Sequence, residues 1–349
     1  MRSSRALNRP LTRVVARAVV PLAATALVLT GCGGGGDKKA DEKKPQSVTA
    51  GGQLDGTWPL TGLDVSGSES AAQKHPVYIA KIDNTDKSNP QYGIGKADLV
   101  TQELVEGGIT RLAVFFYSDL PAKVGPIRSM RATDVGIASP VNAQLVTSGA
   151  APYTYTALQK AHIKWIDMNN ANVKRVQDGS HDTLHSVIAD LGKIGAQAKG
   201  KETRPEDYLP WGKESDYPGT KKAVTVNAKF SPARTDNWKW NGKKYVLQDS
   251  YMADGDVFNP DTVITATVKT TIAPYKDPAG NPVPVSHFNG KGRAWIFHGG
   301  KAIRAQWVKK GENAPVKFTA GGKELKIPAG HVWLDLIPKD GGAVQFTKK

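Results

Sequence analysis

"LVTQELVEGGITRLAVFFY", Leu99 to Tyr117, holds two apolar, β-rich runs on either side of Gly107-Gly108. Paired glycines supply the positive backbone φ of a tight turn without a Cβ clash, so the stretch predicts a β-hairpin. If the turn has two residues, Glu106 faces Ile109 and lies diagonal to Arg111 on one face of the sheet. Glu103 then points to the other face, beside Leu112.

Upstream, "HPVYIAKIDN" (His75 to Asn84) is a short β-branched and aromatic run that predicts a strand, and "SNPQYGIGKAD" is a loop by its Pro, Asn and Gly content. Downstream, "VGPIRSMRATD" (Val124 to Asp134) reads as a Gly-Pro turn entering a helix at Pro126. Arg128, Arg131 and Val135 would then fall on adjacent turns of one side. "NAQLVTSGA" predicts a strand, "YTYTALQKAH" a helix, "IKWIDM" a strand, and "TLHSVIADLGKIGAQA" a helix capped by Asp182 or Thr183. Strands alternating with helices indicate a mixed α/β domain over residues 74–198. Residues 199–220 are rich in charge, Pro and Gly and read as a linker. Residues 221–349 hold short β runs between Gly-, Asn- or Pro-bearing turns, giving a β-rich C-terminal domain. The expected fold class is α+β, without a fixed-period repeat.

The N-terminus bears on location. Arg2, Arg5, Arg9, Arg13 and Arg17 form a basic segment, followed by an uncharged run from Ala18 to Thr30 and then "LTGC", ending at Cys32. That run is short for a membrane-spanning helix and suits a signal peptide over residues 1–31. Small residues before a lone cysteine are the pattern of a bacterial lipoprotein signal, in which Cys32 is acylated and becomes the first mature residue. In residues 32–73, four glycines and a charged, aperiodic run follow Cys32, the composition of a disordered tether. Folded sequence is expected to start near Trp58 or Lys74. The protein is expected on the extracytoplasmic face, held in the bilayer by its acyl anchor.

Cys32 is the sole cysteine, which removes disulfides, thiolate zinc sites and cysteine-dependent wall chemistry such as L,D-transpeptidation. The formal charge of +15 falls to +10 without the five arginines of the leader, so the mature chain is basic and is drawn to anionic headgroups, polymers or peptidoglycan carboxylates. No nucleic-acid partner and no cofactor are expected. H-E-x-x-H, P-loop, G-x-S-x-G and G-x-G-x-x-G signatures are absent. His181 and His185 are spaced like metal ligands on a helix. Thr183 as the helix start leaves His181 outside it, and no metal site is assigned.

Two constellations could carry function. Asp83, Glu103 and Glu106 could serve as acid and base in glycoside hydrolysis, with His185 assisting, or they could be spent in structural ion pairs. Arg111, Arg128 and Arg131, with Ser129 and Asn84, could grip an anion beside a helix N-terminus. The same arginines could instead pair internally with Asp83, Glu103 or Asp134.

"KIDN", "PQYGIGKADLV", "ELVEGGITR", "VGPIRSMRATD", "GKGRAWIFHGGKAIRAQWVKK" and "IPAGHVWLDLIP" occur in this order. In this the chain resembles the YerB-like family of bacterial lipoproteins, from about Pro76 to Pro338. The resemblance implies an α/β first domain and a β-rich second, and implies no particular reaction. Where that family reads Pro-His-Asn-Leu-Tyr, this chain has "LHSVI", which keeps His185 and changes its neighbours. Loop and turn residues carry the likeness, which favours the anion-site reading. The function expected is that of an envelope binding or assembly factor for an anionic or glycan ligand, such as a cell-wall polymer, or for an acidic envelope protein. The alternative is a wall-glycan hydrolase. A solute-binding lipoprotein would want two similar α/β lobes, which the second half does not offer.

Overall fold

The hairpin forms from β2 (Leu99–Leu104) and β3 (Thr110–Phe116), and β1 (Tyr78–Asn84) pairs antiparallel with β3. The computed structural model describes residues 56–66 and 69–347; the leader, Cys32 and most of the expected tether lie outside the described residues. Beyond β1, two strands add in parallel: β4 (Gln144–Val146) and β5 (Trp165–Ile166), with helix α2 (Pro152–Lys160) crossing between them. This is the strand–helix alternation read from the sequence.

The C-terminal half does not form a separate sheet beside this one. Its strand Val332–Pro338 pairs parallel with β2 on one side and with the long strand Thr262–Lys276 on the other. The strands Gly290–His298, Lys301–Lys309, Lys317–Ala320 and Lys323–Leu325 continue outward, so one 13-stranded sheet runs through both halves. The fold is α+β.

Both faces of this sheet are covered, which explains why β1 is buried at every residue instead of alternating. On one face, Ile79, Phe115, Leu99, Leu334 and Ile264 meet the helical segments, Tyr208 and Trp211. On the other, Val114, Val100, Phe297 and Trp333 meet a four-stranded sheet of Thr225–Lys229, Thr235–Trp240, Tyr245–Leu247 and Ala343–Thr347. Trp238 and Trp333 cross edge to face at 5.1 Å between the layers. Aromatic pairs of this kind add about 0.5–1.5 kcal/mol beyond area burial.

Two local expectations about helices are corrected. Val124 to Met130 is extended, and helix α1 begins only at Asp134 (Asp134–Ala138). Ile127 N–H donates to Val187 O at 2.7 Å, Arg128 N–H donates to Lys81 O at 2.7 Å, and Pro126 O accepts from Asp83 N–H at 3.0 Å. These tertiary bonds claim the backbone before a helix can. "TLHSVIADLGKIGAQA" is not one helix either. Asp182 caps a short 3-10 turn (Thr183–His185), Val187–Ala189 forms a strand, and Asp190 caps α3 (Leu191–Ala196). The β-branched pair Val187-Ile188 prefers the pleated pairing it finds with Val173–Arg175.

The stretch read as a linker is packed. Tyr208, Leu209 and Trp211 are buried, and Arg204 pairs with Asp207 at 2.5 Å. Trp211 Nε1 donates to Pro59 O at 2.9 Å, and Leu60 is fully buried, so of the two expected starting points Trp58 is the one in the folded core. Gly62 (φ +67°) allows this approach, since a Cβ there would lie 2.6 Å from the Trp211 ring.

Candidate functional site

Strand register builds the site. A three-residue turn, Glu106–Gly108, closes the hairpin in place of the two-residue one, with Gly107 and Gly108 at φ 69° and 74°. Pairing shifts by one residue, so Glu103 stands opposite Arg111 and not Leu112. Arg111 also stands opposite Asp83. Directly opposed residues share a face, so Asp83, Arg111 and Glu103 form a row across β1, β3 and β2. Lys81, two residues before Asp83, joins the same face.

The segment after β3 lies over this row and closes it. Lys81 is fully buried, and its Nζ is 2.6 Å from Glu103 Oε1 and 2.6 Å from Asp134 Oδ1. Arg128 Nε donates to Asp83 Oδ2 at 3.1 Å, and Arg111 approaches the same oxygen at 3.9 Å. Asp83 Oδ1 accepts from Thr85 N–H and Oγ1 at 3.0 and 2.5 Å. Arg131 takes Glu106 with Nε and Nη2, the latter 2.6 Å from Oε1. Four cations therefore face four carboxylates: Lys81 bridges Glu103 and Asp134, Arg111 and Arg128 share Asp83, and Arg131 holds Glu106.

Burial first, then the neighbouring Arg131, pushes Arg111 down to about 10, which still leaves it charged at neutral pH. Burial raises Glu103, and Asp134 raises it further by sharing the ammonium of Lys81. A raised carboxyl is what a general acid needs, but Glu103 is fully buried and cannot meet a substrate. Arg128 is the most open member, with 26 % of its side chain exposed, and its Nη1 donates to Leu184 O at 2.9 Å.

The other expected residues are dispersed. Ser129 contributes its carbonyl, which accepts from Arg111 Nη1 at 2.9 Å. Asn84 follows Asp83 and so faces the opposite side, where it donates to Thr110 Oγ1 at 2.9 Å. His185 bonds Asp182 at 2.8 Å and His181 bonds Asp178 at 2.8 Å, so the two histidines serve separate carboxylates. The expected outward-facing arginines at a helix N-terminus are thus corrected: Arg128 is in extended chain, and all three guanidiniums meet Asp83 or Glu106.

Two domains described as "Protein of unknown function (DUF3048)" match this chain, the N-terminal one over residues 60–204 and the C-terminal one over 224–334. The chain belongs to the DUF3048 family. It is 25 % identical over 308 residues to YerB of Bacillus subtilis, whose name describes it as a candidate lipoprotein, covering 83 % of this chain and 88 % of that one. The crystal structure of YerB superposes with a TM-score of 0.67 at 19 % identity, over 83 % of this chain and 99 % of that one. The DUF3048 fold therefore spans both halves. The stretches "ELVEGGITR" and "VGPIRSMRATD", which with Lys81 and Asp83 build the ion-pair row, lie within the range matched by the N-terminal family domain.

One member of that row escapes a sequence reading. Lys81 looks like an ordinary strand lysine, and only its two-residue spacing from Asp83 hints at a shared face. Asp134, expected as a partner of the arginines, meets the ammonium of Lys81 instead. Apart from the row, a cleft of about 810 Å³ opens on this DUF3048 chain between residues 73–77, 139–144, 161–164 and 198–206. Lys164, Lys199 and Lys201 line it, and none of the three has an ion-pair partner among the described residues. No helix among the described residues is long and apolar enough to cross a membrane.

Proposed function

We propose that this DUF3048 protein is an extracytoplasmic lipoprotein, anchored through acylated Cys32, that binds an anionic polymer or glycan of the envelope, or an acidic partner protein, without cleaving it. One observation carries the reading: the carboxylates near the hairpin are spent on internal cations, while Lys164, Lys199 and Lys201 at the large cleft make no ion pair among the described residues, Lys74 alone there pairing with Glu202. Glycoside hydrolysis needs two carboxyl groups that reach the scissile bond from either side. Glu103 and Asp83 are buried, and Glu106 is clamped by Arg131. Unpaired lysines beside a cleft attract polyanions at little cost, because water screens their mutual repulsion.

The test is co-sedimentation of the purified protein with insoluble wall material, with soluble sugar and peptide release assayed in the same tubes. The expected result is salt-sensitive sedimentation without release. Release that disappears in Glu106→Gln would move the function to hydrolysis.

A further inference from the structure

A second concavity, of about 350 Å³, lies on the C-terminal half beside the start of the strand Ala343–Thr347. Arg293, Trp295, Arg304 and Lys339 line it, with the backbone of Gly342 at its rim. The sheet register explains the grouping. Trp295 stands opposite Arg304, and Arg293 stands opposite Gln306, so Arg293 and Arg304 are diagonal neighbours on one face. Such diagonal positions lie about 7–8 Å apart, and somewhat closer at their Cβ atoms, a span that lets two guanidiniums reach one tetrahedral oxyanion between them. Lys339 approaches from the end of the Val332–Pro338 strand.

No carboxylate lines this pocket, and Arg293, Arg304 and Lys339 make no ion pair among the described residues. The contrast with the hairpin row is direct, since there every guanidinium meets a carboxylate. Lys221 adds a further cation 5.2 Å from the Trp295 ring centre. Trp295 rests edge to face on Phe346 at 4.9 Å, which fixes its plane while part of the ring stays exposed. A fixed aromatic wall beside paired guanidiniums suits an anion that carries a polyol or sugar.

We infer that Arg293, Arg304 and Lys339 form a binding site for a phosphate group, mono- or diester, whose polyol substituent lies against Trp295. The site rests on the binding reading above and names the ligand chemistry. A phosphodiester polymer and a phospholipid headgroup share that chemistry. The forks of Arg293 and Arg304 each take two oxygens, and Lys339 supplies a third positive contact.

Titration calorimetry of the full mature chain in zwitterionic detergent micelles tests this, with poly(glycerol phosphate) and inorganic phosphate as probes. A parallel arm adds phosphatidylglycerol or phosphatidylcholine to the micelles. Arg293→Gln and Arg304→Gln should each weaken binding of the phosphate polymer about tenfold or more. Lys323→Gln, at an exposed strand position that lines neither concavity, should leave that binding unchanged, while Lys164→Gln/Lys199→Gln reports on the large cleft. Loss of binding to phosphatidylglycerol alone, in the same arginine variants, would keep the site and make the lipid headgroup its ligand. Unchanged binding in Arg293→Gln and Arg304→Gln, with loss in the cleft variant, would overturn the pocket while leaving the binding reading intact. Polyglutamate binding as tightly as the phosphate polymer would overturn the phosphate class. Absence of binding to every probe would overturn both.

Discussion

Arg131 holds Glu106 with a two-pronged grip, Nε on Oε2 at 3.0 Å and Nη2 on Oε1 at 2.6 Å. Both side chains are about nine-tenths buried, at 11 % and 10 % exposure, so the pair binds the hairpin turn to the segment entering α1. Removing one partner strands a charge in a dry site. Arg131→Ala should therefore cost about 3 kcal/mol or more. Arg131→Lys keeps the charge but loses the fork and should cost less. Urea unfolding measures both, and an Arg131→Ala protein as stable as the parent would refute the internal role. Arg128→Ala should cost less than Arg131→Ala, because the Arg128 side chain is 26 % exposed and water can replace it at Asp83.

Lys81 stands between Glu103 and Asp134, with no water-facing surface on any of the three. Lys81→Met leaves two buried carboxyls without a cation and should destabilise by about 3–5 kcal/mol. Adding Glu103→Gln should restore part of that loss, since the repulsion with Asp134 is removed. A double-mutant cycle reads the coupling directly, and additivity of the two changes would show that they do not share a network.

Stability should fall as pH rises between about 4 and 6. Burial pushes Asp207 and Asp236 up to about 6, and burial, with Asp236 close by, raises Asp335 well above the usual carboxylate range. A raised folded-state value means that the folded chain holds more protons than the unfolded chain across that window. Stability from these groups is full below the unfolded value and is lost as pH climbs through the folded one. Asp178 acts at lower pH: burial opposes ionisation, but His181 and nearby backbone N–H groups outweigh it and hold Asp178 at about 2. Asp335→Asn retains an oxygen for Trp333 Nε1, which donates to Oδ1 at 2.9 Å, and removes the cost of burying an ionisable carboxyl. That variant should melt higher than the parent at pH 7 and show a flatter profile. A lower melting point at pH 7 would contradict the assignment.

If the acyl chain on Cys32 is the anchor, Cys32→Ala should leave a folded protein outside the membrane fraction. Fractionation in high salt checks this, with retention of the variant counting against the acyl anchor.

Local chemistry was enough to read the hairpin from its two glycines, the α2 helix from "YTYTALQKAH" and the β-rich second half from its turn spacing. Each depends on neighbours within about ten residues, where backbone preference and side-chain period act. Sequence also held the pieces of the ion-pair row, but not their partners. Whether Glu103 faces Arg111 or Leu112 turns on one residue of loop length, because a strand reverses face at every step. Arg128 lies in extended chain because Lys81 and Val187 compete for its segment's backbone, and both are distant in sequence. The strand Val332–Pro338 joins the two halves by entering between β2 and Thr262–Lys276, a pairing no local pattern encodes. Tertiary structure alone decided which arginines are neutralised and which, as at Arg293 and Arg304, stay unpaired. Charge compensation depends on distances across strands, and those follow from register and topology, not from composition.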